Sequence, residues 1–145
     1  MEIGVDGWRA RAADWDAVRN LPPDKLPALS KEQREVARKL GISEADYARS
    51  AFASERSRES LLAKTERLAR LIEKMLKDTP AVVESVTLRT FDEKFDVSLR
   101  VGQKVMPIRI TEGLVDDLFE NGSGEAETRL ARILNSAIQT RVREQ

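Results

Sequence analysis

The chain has 145 residues, 41% of them hydrophobic, which is the size of one ordinary domain and enough to bury a core without staples. Its 25 basic and 25 acidic side chains cancel, so no whole-chain field gathers nucleic acid or anionic membrane, and any such contact must come from a local patch. The absence of His and Cys excludes serine triads, His acid–base steps, thiolate nucleophiles, disulfides and the usual zinc, copper, haem and iron–sulfur ligand sets.

Residues 1–29 form the first stretch in chain order. Three prolines, Pro22, Pro23 and Pro27, remove backbone donors and favour an extended path, so this segment reads as an arm with periodicity only around Trp8 to Val18. No apolar signal segment opens it, and no run approaches the ~20 apolar residues of a spanning helix, so a soluble cytoplasmic protein is expected. Trp8 and Trp15 lie seven apart, on one side of any helix that forms there. They either pin the arm to its own core or anchor a partner.

Helical signals begin at Ser30. It caps a helix over about Lys31 to Leu40, with Gln33 as its capping-box mate and Glu32 in the first turn. Gly41 supplies a left-handed residue that ends this helix, and Ser43 caps a second, with Glu44 and Asp46 in its first turn. Leu29, Val36, Ala37, Leu40, Ile42, Tyr47 and Ala48 are expected to form a small shared core, and the second helix to end between Phe52 and Ser57, where Ser54 and Ser57 offer a new cap. From about Glu55 to Lys77 the sequence reads as one long amphipathic helix, with Leu61, Thr65, Leu68, Ile72 and Met75 on its stripe. That stripe suits packing on the chain's own sheet, with a homodimer through residues 58–76 as the other use.

After Asp78-Thr79-Pro80 the period changes from 3.6 to 2. Val86 and Leu88, then Phe95, Val97, Leu99 and Val101, then Met106, Ile108 and Ile110 alternate with polar residues, which predicts three antiparallel strands apolar on one face. Gly102-Gln103 fits a two-residue hairpin, and Pro107 places the third strand at an edge. A short helix around Leu114 to Phe119 and a final helix bearing Leu130, Ile133, Leu134, Ala137 and Ile138 follow. The expected class is α+β: helix-turn-helix-like helices (30–53) after the arm (1–29), a connecting helix (54–78), and a βββαα domain (79–145) whose three-stranded antiparallel meander is followed by two helices.

Residues 31–53 resemble the helix-turn-helix family. Val36, Ala37, Leu40, Gly41, Ile42 and Ser43 match its small mid-helix residue, turn glycine and following apolar residue plus cap, while Tyr47 departs from the usual Val or Ile. The resemblance implies DNA contact by the start of the second helix, which here is Ser43, Glu44, Ala45 and Asp46, with Arg49 a turn on. Two carboxylates there oppose binding to a phosphate-lined groove. Residues 30–80 carry twelve basic and nine acidic groups.

Other candidates carry less. Arg89, Arg100 and Arg109 on the polar sheet face lack the interleaved aromatics that base stacking needs. The clusters Asp92, Glu93, Asp96 and Glu112, Asp116, Asp117, Glu120 match no calcium loop. Gly122-Ser123-Gly124 lacks a phosphate-loop context. Ser50, Ser54, Ser57 and Ser60 read as surface serines. No catalytic residue, cofactor or metal site is therefore assigned. The favoured reading is a non-enzymatic adaptor or regulatory subunit in a larger assembly, acting through protein contacts by Trp8, Trp15, Tyr47 and Phe52. The rival is a sequence-specific DNA-binding regulator using Lys31, Arg34, Arg38, Lys39, Arg49, Arg56 and Arg58.

Overall fold

The computed structural model describes residues 1–7, 9–122 and 124–144, the last four of these by backbone alone. Its elements are β1 (Glu2–Asp6), α1 (Ala12–Arg19), a 3-10 turn (Pro23–Lys25), α2 (Lys31–Leu40), α3 (Glu44–Met75), β2 (Ala81–Arg89), β3 (Lys94–Val101), β4 (Lys104–Thr111), α4 (Glu112–Phe119) and α5 (Gly124–Glu144). The chain divides into two units, Met1–Gly7 with Leu61–Gln145 and Trp8–Ser60. The first residues, read from the sequence as part of an arm 1–29, belong with the sheet, and the unit boundary at Ser60 falls inside α3.

In the larger unit the strand order is β1-β2-β3-β4. The three expected strands are present and antiparallel, but the sheet is four-stranded and mixed, because β1 pairs parallel with β2, Ile3 beside Val86 and Val5 beside Leu88. The expected meander is corrected accordingly. A parallel partner requires a long crossover, and this one comes from about 80 residues away along the chain, beyond the reach of any local pattern. Pro107 does lie on an edge strand, opposite Ser98, where its missing N–H leaves no ladder bond unmade. The β3–β4 hairpin closes on Val101 and Lys104 with Gly102 at φ +64, a conformation that costs glycine no Cβ clash.

Period-2 alternation puts one sheet face inside. Val86, Leu88, Phe95, Val97, Leu99, Ile108 and Ile110 join Leu61, Leu68, Ala69, Ile72 and Leu76 of α3, Leu114 and Val115 of α4, and Leu130, Leu134 and Ile138 of α5 in one core. The α3 stripe expected for residues 58–76 is therefore largely consumed within this unit, with Thr65 also buried and its hydroxyl donating to Leu61 O at 2.7 Å. A dimer through that segment would have to use its outer side.

The acidic residues near α4 are occupied locally. Lys64 Nζ lies 2.7 Å from Asp116 and 3.6 Å from Glu112, and the Asn121 amide donates to Asp117. On the polar sheet face Arg89 and Arg109 meet through a shared carboxylate, 3.6 and 3.3 Å from Asp96, while Arg100 sits apart, 3.7 Å from Glu84. Arg89 also reaches Asp92 and stacks 4.5 Å over the Phe91 ring. Among the described residues no group of three or more acidic side chains converges as a metal site, and no helix is long and apolar enough to cross a membrane.

The second helix does not stop near Phe52 to Ser57. It continues as α3 for 32 residues to Met75. No Gly or Pro interrupts this stretch, Ala51 and Ala53 are strong helix formers, and Ser57 spends its hydroxyl elsewhere than on a cap.

Candidate docking surface on the smaller unit

The caps at Ser30, Gly41 and Ser43 act as the sequence predicts. Gln33 N donates to Ser30 Oγ at 3.2 Å while Ser30 N donates to Gln33 Oε1 at 2.9 Å, a complete capping box. Gly41 takes φ +71, and the bonds Gly41 N to Arg38 O and Ile42 N to Ala37 O, both 3.1 Å, close the helix end in a Schellman pattern. Asp46 N donates to Ser43 Oγ at 3.1 Å and starts α3. α2, the Gly41 turn and the start of α3 are thus defined by their own caps.

A buried polar junction joins α1 to α3. Ser57, with no exposed surface, accepts from Arg11 N at 2.8 Å and donates to Asp14 Oδ2 at 2.6 Å, and Arg56 Nε stands 3.5 Å from Asp14 Oδ1. The expectation of a surface serine is corrected at this position, because a hydroxyl can both accept from a helix-entry N–H and donate to a carboxylate. Ser57→Ala would leave the Arg11 N–H and one Asp14 oxygen without these partners, and a loss of about 1–3 kcal/mol is expected. Both tryptophans fall within residues 8–60, so urea unfolding followed by tryptophan fluorescence reads this effect.

Fully buried apolar side chains are few and small in this unit. Among the described residues of this unit only Val18, Ala37, Ala48 and Ala53 are buried apolar side chains, three of them alanines. Trp15, Leu21, Leu26, Leu29, Tyr47 and Phe52 are half-buried. Val36, Leu40 and Ile42, expected in the shared core, instead expose 42%, 65% and 42% of their surface. At about 100° per residue, Val36 turns about 100° away from the inward Ala37, and Leu40, in the last turn, stands about 60° from it.

Two shallow grooves meet at Ala48. One is lined by Pro23, Leu26, Pro27, Arg34, Glu44 and Ala45, the other by Gln33, Ala51, Phe52 and Glu55, and both share Pro27, Ala28, Leu29 and Ala48. Alanines on α3 keep the floor low, and Phe52 forms one end with the Arg56 guanidinium 6.0 Å from its ring centre.

The residues singled out from sequence are therefore distributed unevenly. Phe52 lines a groove and Tyr47 and Trp15 are half-buried; Trp8 lies outside the described residues. Of the cationic set, Lys31, Arg34, Arg38, Lys39 and Arg58 are exposed. Lys31, Arg34 and Arg38 recur at steps of three and four along one stripe of α2. Arg49 is held by Asp46 at 3.3 Å and by Leu21 O at 3.2 Å, and Arg56 by Asp14. Arg49, a turn into α3, is thus engaged within the unit, while Arg34 lines a groove with Glu44 and Ala45 at the head of that helix. Val36, Leu40 and Ile42 are the surface residues that sequence reasoning placed wrongly.

No protein-family model matches the chain, and neither the curated proteins nor the solved structures compared with it contain a significant match.

Proposed function

We propose that this protein is a non-enzymatic adaptor or regulatory subunit whose helix-turn-helix unit docks on a protein surface. The observation that carries this reading is the imbalance among the described residues of 9–60: fully buried apolar side chains at Val18, Ala37, Ala48 and Ala53 beside three large aliphatic side chains left in water at Val36, Leu40 and Ile42. A unit this small needs apolar burial to offset its conformational entropy, and contiguous exposed aliphatics on so thin a core mark a contact site. Glu44 and Asp46 at the head of α3, with Arg49 already engaged, weigh the surface toward protein rather than nucleic acid. The lack of His and Cys is consistent with a role without catalysis.

A photo-crosslinking side chain placed at position 40 in native cells tests this. A discrete protein adduct is expected from position 40 and none from exposed Gln139 on α5. Equal or absent adduct formation at both positions would remove the reading.

A further inference from the structure

We infer that the free edge of β1 takes an added strand from a partner protein, an extended segment that is apolar on its core-facing side and basic at the two ends of its solvent-facing side. This surface lies in the larger unit and stands independently of the docking reading above.

The sheet has two edges, and they differ. On β4 the outward-pointing position opposite Ser98 is Pro107, which offers no N–H, and Lys104 stands at the start of the strand; both features hinder a further strand from pairing. β1, at the other end of the strand order, carries neither proline nor lysine, and no bulge interrupts its register with β2. Alternate residues of an edge strand turn their N–H and C=O groups away from the sheet. Among the described residues no backbone bond reaches the far side of β1: the extra bond to this strand, from Thr90 N to Asp6 O, comes from the β2 side.

The side chains define what fits. Ile3 and Val5, beside Val86 and Leu88, lie on the core face, and both are only partly buried. The core is therefore open along this edge, and apolar side chains of an added strand would continue it. Glu2 and Asp6, beside Ser85 and Arg89, lie on the solvent face; both are exposed, and neither is ion-paired among the described residues. Arg89, across the ladder from Asp6, is drawn instead to Asp92 and Asp96. Two acids on one face of an edge, with Gly4 between them, are complementary to two basic residues at the same spacing on an incoming strand. The same acids weigh against a second copy of this chain, because an antiparallel β1 pair that matches Ile3 with Val5 on the core side also sets Glu2 against Asp6 twice. Main-chain bonds would supply the affinity of such an added strand and the alternating side chains its selectivity.

The probe is the peptide acetyl-Lys-Val-Thr-Ile-Lys-amide, titrated into the 15N-labelled full chain up to about 5 mM because an edge this short binds weakly. Amide shifts and slowed hydrogen exchange are expected at residues 2–6, with binding that weakens as salt rises. The same peptide N-methylated at every amide keeps both charges but loses its main-chain donors, and it should not bind. Acetyl-Glu-Val-Thr-Ile-Glu-amide should bind about tenfold more weakly than the basic peptide, since two attractive cross-strand pairs become repulsive. In the Glu2→Lys/Asp6→Lys variant that preference should reverse. The inference is overturned if residues 2–6 do not respond, if the N-methylated peptide binds as well as its parent, or if the variant keeps the original preference.

Discussion

Phe95→Ala is expected to destabilise the larger unit by about 3–5 kcal/mol, the cost typical of emptying a fully buried aromatic site. Phe95 has no exposed surface and sits on the central strand β3, with Leu88 of β2 and Ile110 of β4 as its cross-strand neighbours on the same buried face. Both neighbours are pinned in ladders, so the cavity cannot collapse without shifting strands. Against a total stability of about 5–15 kcal/mol for an ordinary domain, the loss is large. Phe91, four residues earlier at the β2–β3 turn, is 63% exposed and serves as the control: the Arg89 stacking contact is what it would lose, so Phe91→Ala should cost about 1 kcal/mol or less. Urea titrations followed by far-UV circular dichroism distinguish the two, and equal losses would contradict the core described here.

Glu55→Pro separates one continuous helix from two. If a new helix began after Ser54, position 55 would be its first residue, where proline is readily accepted because the missing N–H has no partner in any case. In the continuous α3, position 55 is interior, and proline removes its hydrogen bond while the ring collides with the carbonyl of Ala51. The expected cost is about 3 kcal/mol or more, seen as lost helical ellipticity together with an earlier tryptophan transition in urea. Full retention of both signals would restore the break.

Much of the fold was legible because its signals are local. Ser30 with Gln33, the glycine at 41, the cap at Ser43 and the two-residue turn at Gly102 each act over fewer than six residues, and each acts as its chemistry requires. Alternation in β2 to β4 was equally plain, since a half-buried antiparallel strand writes its burial into every second residue. The stripe at Leu61, Thr65, Leu68 and Ile72 likewise identified the face of α3 that is buried.

The errors have a common cause. β1 carries only Ile3 and Val5 around Gly4, too short a pattern to name a strand until β2 supplies its partner. Ser54 and Ser57 resemble caps to a local reading, yet Ser57 is held by Arg11 and Asp14, more than forty residues earlier. Val36, Leu40 and Ile42 resemble core residues because they are apolar beside a turn, but they stand 42%, 65% and 42% exposed, and no distant segment of the unit covers them.

By itself the sequence determined the α+β class, the caps and turns, three of the four strands, the edge position of Pro107 and the loss of His- and Cys-dependent chemistry. Those depend on neighbouring residues or on composition alone. The tertiary structure decided the mixed sheet, the unbroken α3, the buried junction at Ser57 and the exposure of the aliphatic ridge on α2. Each of these depends on which distant segment a side chain meets, and burial is a property of that meeting rather than of the residue.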